Sequence, residues 1–155
     1  MKKAPYVLFR YYPDRYKLRG FYDSDNGEVH INKAIPKIVR ELTFAHENQH
    51  KICHQGKCSC WNKDTEFWCE YHAFRAEFEF ILSKNSNKYW IAYFESVVYD
   101  LKKYKRTNHK PKSWPDHFRA LAKICRTKEF ASYARGYGYH TRIMDIIDRG
   151  IIICQ

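Results

Sequence analysis

The chain has 155 residues, 45% apolar and 17% aromatic, and 28 Lys and Arg against 17 Asp and Glu give it a formal net charge of +11. That apolar share excludes a disordered chain, and the length sets a single domain over 1–155 as the expectation. No apolar run approaches the roughly 20 residues a membrane-spanning helix needs, and the opening apolar stretch is broken at Arg10, which excludes a signal peptide.

In chain order, Tyr6 to Tyr12 is apolar and aromatic, Gly20-Phe21-Tyr22 follows, and Asp23-Ser24-Asp25-Asn26-Gly27 is a strong turn signal. Glu28-Val29-His30-Ile31-Asn32 then alternates with the period of two that a strand with one buried face requires. A small N-terminal antiparallel sheet is expected. Pro36 suits the first turn of a helix, and Ile38, Val39, Leu42, Ala45 and Gln49 carry a stripe at three-and-four spacing until Gln55-Gly56 stops it near Cys53 or His54. After a polar loop, Asp64 can cap a second helix to about Ser83, with Phe67, Tyr71, Phe74, Phe78 and Ile81 on one face. Another side of that helix carries Glu66, Glu70, Ala73 and Glu77.

Trp90, Tyr93, Phe94, Val97, Val98, Leu101 and Tyr104 mark a third amphipathic helix. Arg106 to Trp114 reads as a basic linker, and the remainder as short helices broken at Arg135-Gly136-Tyr137-Gly138. The expected class is α+β and predominantly helical, with sheet and metal-binding helices in 1–87 and a basic helical extension in 88–155.

The metal-binding helices are expected because of His46-Glu47-Asn48-Gln49-His50. Residues i and i+4 share one helical face, so both imidazoles can hold one zinc while Glu47 reaches the attacking water. A catalytic zinc takes a third protein ligand and keeps one position open. Glu70, twenty residues after His50, can be presented by a second helix folding back, with Glu66 one turn earlier as its rival. Ala73, three residues after Glu70, favours Glu70 by permitting close helix packing.

His46-Glu47-x-x-His50 followed by Glu70-Tyr71-His72-Ala73 resembles the H-E-x-x-H…E-x-x-A pattern of zincins with a glutamate ligand. The wider run, Gly20 to Asp23, Val29 to Asn32, Leu42 to Glu47 and Glu70 to Ala73, resembles the ImmA/IrrE group. The resemblance covers about residues 20 to 82 and implies a zincin-like fold and a zinc metallopeptidase cutting regulatory or repressor proteins, often in phage or mobile-element biology. Two departures are visible. Asn48-Gln49 replaces a more apolar or small pair, and Phe74 stands where that group often carries an acidic or amide residue that orients a metal-bound histidine.

With such a site, Glu47 takes a proton from the attacking water and returns it to the leaving amine. The strand at Val29 to Asn32 is then a candidate to pair with an extended substrate. Tyr137, Tyr139 and His140 are candidates to stabilise the oxyanion. Cys53, His54, Cys58 and Cys60, with Cys69, form a soft-ligand cluster, but C-x4-C-x-C lacks paired C-x-x-C knuckles, so thiols are expected there rather than a second metal. His30, His109 and His117 fall in no pattern. Lys102-Lys103-Tyr104-Lys105-Arg106 and Lys110-Pro111-Lys112 fit a phosphate-binding or acidic-protein surface as well as a solvated face.

The leading expectation is thus a cytoplasmic zinc metallopeptidase acting on a protein or peptide, with DNA or an acidic protein as a partner of the basic surface and no membrane. An SprT-like DNA-associated protease, with His72 as its downstream histidine, is one alternative. A basic nucleic-acid-binding or interaction module with a structural zinc is the other.

Overall fold

The computed structural model describes residues 7–10, 19–56, 66–105 and 114–153. Three short strands, β1 (Val7–Arg10), β2 (Gly20–Asp23) and β3 (Glu28–Asn32), precede six helices: α1 (Lys37–His54), α2 (Glu66–Lys84), α3 (Asn87–Tyr104), α4 (Trp114–Cys125), α5 (Lys128–Gly136) and α6 (His140–Ile153). The chain is therefore predominantly helical α+β, as the periodicities predict. No helix among the described residues is long and apolar enough to cross a membrane.

The sheet order is β1-β3-β2. β2 and β3 form the expected antiparallel pair, with Tyr22 opposite Val29, while β1 adds a parallel strand on the other side of β3. Asp23 closes the turn between β2 and β3 by accepting from the Gly27 amide at 2.9 Å, with its side chain accepting from Asp25 at 3.0 Å. This order corrects one expectation. β3 is the central strand, so its ladder is occupied on both sides, and among the described residues the edges of the sheet belong to β1 and β2.

Sequence signals set the helix ends. The Ser86 side chain accepts from the Tyr89 amide to start α3, and Thr127 accepts from Phe130 to start α5. Gly56, at φ +73°, follows the end of α1 and returns its amide to the Cys53 carbonyl. Asp64, the expected cap of α2, lies outside the described residues, as do Cys58, Cys60, His109 and the basic stretch at 106–113.

Aromatic residues fill the core. Trp90 is fully buried and stacks on Tyr133 at 4.3 Å, while Phe78, Tyr93, Phe94 and Phe130 close around it. One continuous apolar cluster takes Leu42 from α1, Phe74 and Phe78 from α2, Leu121 and Ile124 from α4, and Ile143 and Ile147 from α6. The core thus runs across the expected division at 87/88. α4 packs directly on α2, the helix that carries Glu70.

The sheet meets α1 at Gly20. A Cβ there would lie 2.4 Å from the His30 carbonyl oxygen and 2.8 Å from Thr43 Cγ2, and the backbone oxygen cannot rotate away. Gly20→Ala should therefore cost about 2 kcal/mol or more, as overpacking does. Gly138→Ala, at φ +79° with nothing within 4 Å, should cost only about 1 kcal/mol of backbone strain. Urea midpoints measure the two, and equal shifts would mean that the sheet is not seated this tightly on α1.

Candidate metal centre

His46 and His50 lie one turn apart on α1, and Glu70 reaches them from α2 across the interface that the fully buried Ala73 keeps close. Their ligand atoms converge. His46 Nε2 and His50 Nε2 are 3.2 Å apart, Glu70 Oε2 is 3.1 Å from the first, and Glu70 Oε1 is 3.0 Å from the second. Four ligands around a zinc at 2.0 to 2.1 Å stand about 3.3 Å from each other, so this triangle has the size of one tetrahedral face. Among the described residues it is the one group of His, Cys, Asp and Glu side chains close enough to share an ion.

The donor set fits as well as the spacing. Two imidazole nitrogens and one carboxylate match a three-ligand zinc site with an open position. Glu66, the rival to Glu70, is at the exposed start of α2 and outside the group. Glu47 lines the same cavity of about 560 Å³ and, among the described residues, forms no ion pair that would occupy its carboxylate.

Behind His46 stands a carboxylate that sequence reasoning placed on the right face without a role. His46 Nδ1–H donates to Glu77 Oε2 at 3.1 Å, which fixes the ring and turns Nε2 toward His50 and Glu70. Glu77 therefore holds the histidine from two turns along α2, and the Phe74 ring instead packs edge-on against His46 at 4.8 Å. Deeper still, Arg19 donates to Asp100 at 3.3 Å and to Ser96, and its guanidinium lies 4.8 Å from the centre of the Tyr99 ring. Glu77 and Asp100 are both buried, and the Arg19 guanidinium offsets part of their charge.

His117, in no sequence pattern, joins the site from the first turn of α4. Its Nε2 is 3.1 Å from Glu70 Oε1, and its ring packs 4.9 Å from Tyr104. It lies outside the three-residue group but lines the cavity. One signal could have found it: His117, Leu121 and Ile124 repeat at helical spacing, which puts the histidine on the buried face of α4.

Other expected residues lie elsewhere. Tyr137 donates its hydroxyl to Asn87 at 2.7 Å and Tyr139 donates to Glu95 at 2.6 Å, clamping the α5–α6 turn onto α3, and His140 faces a different concavity. None of the three lines the metal cavity, so they are not oxyanion donors. A glycine-bearing aromatic turn resembles a catalytic loop in sequence, but these phenols serve packing. His72 tilts against Tyr71 at 5.9 Å and His30 stacks on Phe21 at 4.4 Å, and neither histidine lines the cavity. Cys53, Cys69 and His54 do line it, with His54 Nδ1 3.0 Å from the Tyr22 hydroxyl.

Burial and charge set the protonation of the cluster. Burial opposes a charge on His46, yet hydrogen bonds and the charges of Glu70 and Glu77 lift its pKa well above 6.5. Burial likewise works against the Glu70 carboxylate, but His50, His117 and His46 hold it well below 4.5. For Glu77 burial prevails, and its carboxyl is raised. Burial and three nearby carboxylates keep the Tyr104 phenol protonated.

No protein-family model, no curated protein and no solved structure matches the chain.

Two outcomes are expected. Glu77→Ala should weaken zinc binding by about 10- to 100-fold in a competitive chelator titration, the usual effect of removing a carboxylate behind a metal-bound histidine. Unchanged affinity would reduce the Glu77 contact to packing. The second concerns the metal-free protein. A depressed carboxylate stabilises the fold above its ordinary value of 4.5 and ceases to as pH falls through its folded value. The stability difference between the chain and its Glu70→Gln variant should therefore be full above pH 4.5 and shrink below it. A difference that stays constant into strong acid would contradict the assignment.

Proposed function

We propose that this chain is a zinc-dependent metallopeptidase of the H-E-x-x-H type with glutamate as third ligand. The observation that carries the reading is the meeting of His46 Nε2, His50 Nε2 and the Glu70 carboxylate within 3.0 to 3.2 Å of each other, in the wall of a cavity that Glu47 also lines. His46, His50 and Glu70 would hold the ion. Bound there, zinc supplies Lewis-acid polarisation of a carbonyl and acidifies water toward neutral pH.

The remaining steps belong to the protein's own side chains. Glu47 takes a proton from the attacking water on its carboxylate and delivers it to the departing amine. Glu77 keeps the His46 ring in one orientation through Nδ1–H. His117 and the protonated Tyr104 phenol are hydrogen-bond donors on the cavity wall and replace Tyr137, Tyr139 and His140 as candidates to meet the oxyanion. Gly20, Phe21 and Tyr22 line the cavity from β2, an edge strand, so an extended peptide can add to the sheet there and lay its carbonyl beside the site. Regulatory or DNA-associated proteins are the proposed substrate class, on the strength of the resemblance of residues 20 to 82 to the ImmA/IrrE group.

The purified chain should contain about one zinc, and His46→Ala should remove it. Zinc retained by that variant would overturn the site. Glu47→Gln should keep the zinc but lose cleavage of a fluorogenic peptide library, whereas a structural site would have no cleavage to lose. His117→Ala separates a donor from a ligand. As a donor to the transition state it should lower kcat by about 10²-fold with zinc stoichiometry intact, the effect of losing one oxyanion contact. Loss of zinc in that variant would make His117 a ligand instead.

A further inference from the structure

A second concavity, of about 410 Å³, lies between the end of α4, one face of α5 and the start of α6. Lys128, Ala131 and Arg135 recur at three-and-four spacing along α5, and His140 and Met144 are one turn apart on α6, so two helical faces form its walls. Arg126, Lys128, Arg135 and His140 line it and no carboxylate does. Among the described residues none of these four is salt-bridged, although Arg75, Arg119 and Arg142 elsewhere on the surface each meet an acidic side chain. Gathering like charges around a hollow is unfavourable without an anion to offset them.

One further feature suits an anion. Lys128 and His140 are the first residues of α5 and α6, so the positive dipole ends of two helices open at this concavity. We propose that the concavity binds the phosphate backbone of a nucleic acid. The helical rise separates the Cα atoms of Lys128 and Arg135 by about 10 Å, so their cations can meet separate phosphates of one strand. A net charge of +11 steers such a polyanion toward the surface. The site shares no lining residue with the cavity at His46, so it stands independently of the peptidase reading.

The test is binding of the 155-residue chain to a labelled DNA duplex, followed by fluorescence anisotropy across a salt series. Arg126, Lys128 and Arg135 are exposed, so the triple variant R126A/K128A/R135A should keep the fold, checked by its circular dichroism. It should bind at least tenfold more weakly and flatten the slope of log affinity against log salt by about 2 to 3, since each lost phosphate contact removes about 0.9. The control K33A/K84A/K88A removes equal charge from other exposed positions and should leave the slope near that of the parent. Glu47→Gln should bind as the parent does. Equal weakening by both triple variants would mean that net charge alone attracts DNA, and would overturn the site. So would a parent protein that does not bind the duplex, or polyglutamate displacing it as efficiently as unlabelled DNA, which would make this an acidic-protein surface.

Discussion

A buried carboxylate is the constraint on which the centre of this structure depends. Glu70 sits between α1, α2 and α4 with imidazoles from His46, His50 and His117 around it, and a charge so placed is tolerable only while its partners hold position. Each partner arrives on a different turn or helix. The packing that brings them together, Ala73 against α1 and the aromatic cluster between α2, α3 and α4, thereby also sets the site geometry. Core and site are one arrangement: Phe74 belongs to the apolar cluster and at the same time lies edge-on to His46.

The same logic explains the second layer of charge. A histidine that donates Nδ1–H to Glu77 needs that carboxylate ionised, yet burial raises its pKa. Asp100, held by Arg19, adds to the rise, while the Arg19 guanidinium counters it. Arg19 immediately precedes Gly20, whose missing side chain lets β2 press against the His30 carbonyl and Thr43. The strand that borders the cavity is thus seated by the residue next to the one that neutralises its acidic floor.

What was legible in the sequence was what short-range periodicity encodes. His46, Glu47 and His50 fall on one helix, and Glu70, Ala73 and Glu77 on another, so their shared faces could be read without coordinates. The turn at Asp23 to Gly27 and the stops at Gln55-Gly56 and Gly136 to Gly138 were equally local. Strand order was not local: β1 pairs in parallel with β3, which follows β2 in the chain, and no periodicity within β3 marks it as the central strand. The partner of His117 was hidden for a related reason, although helical spacing puts the residue on the buried face of α4. His117 is 47 residues from Glu70 in sequence, and only the docking of α4 on α2 places them 3.1 Å apart. Tyr137 and Tyr139 misled because a phenol in a glycine-bearing turn looks the same whether it faces a substrate or closes onto a neighbouring helix.

The span from Glu70 to His117 also bears on the order in which the molecule can assemble. A chain emerging from its N-terminus has both α1 imidazoles and Glu70 long before α4 exists, and loop closure between α1 and α2 requires only a short connection. In that interval the three-residue cluster is open on the side that α4 later covers, exposing apolar α2 residues such as Phe74 to water. Docking of α4 therefore buries the core and finishes the cavity wall in one event. A chain truncated before Trp114 would retain the whole H-E-x-x-H signature and Glu70 but would lack the helix that brings His117 against Glu70 and Phe74.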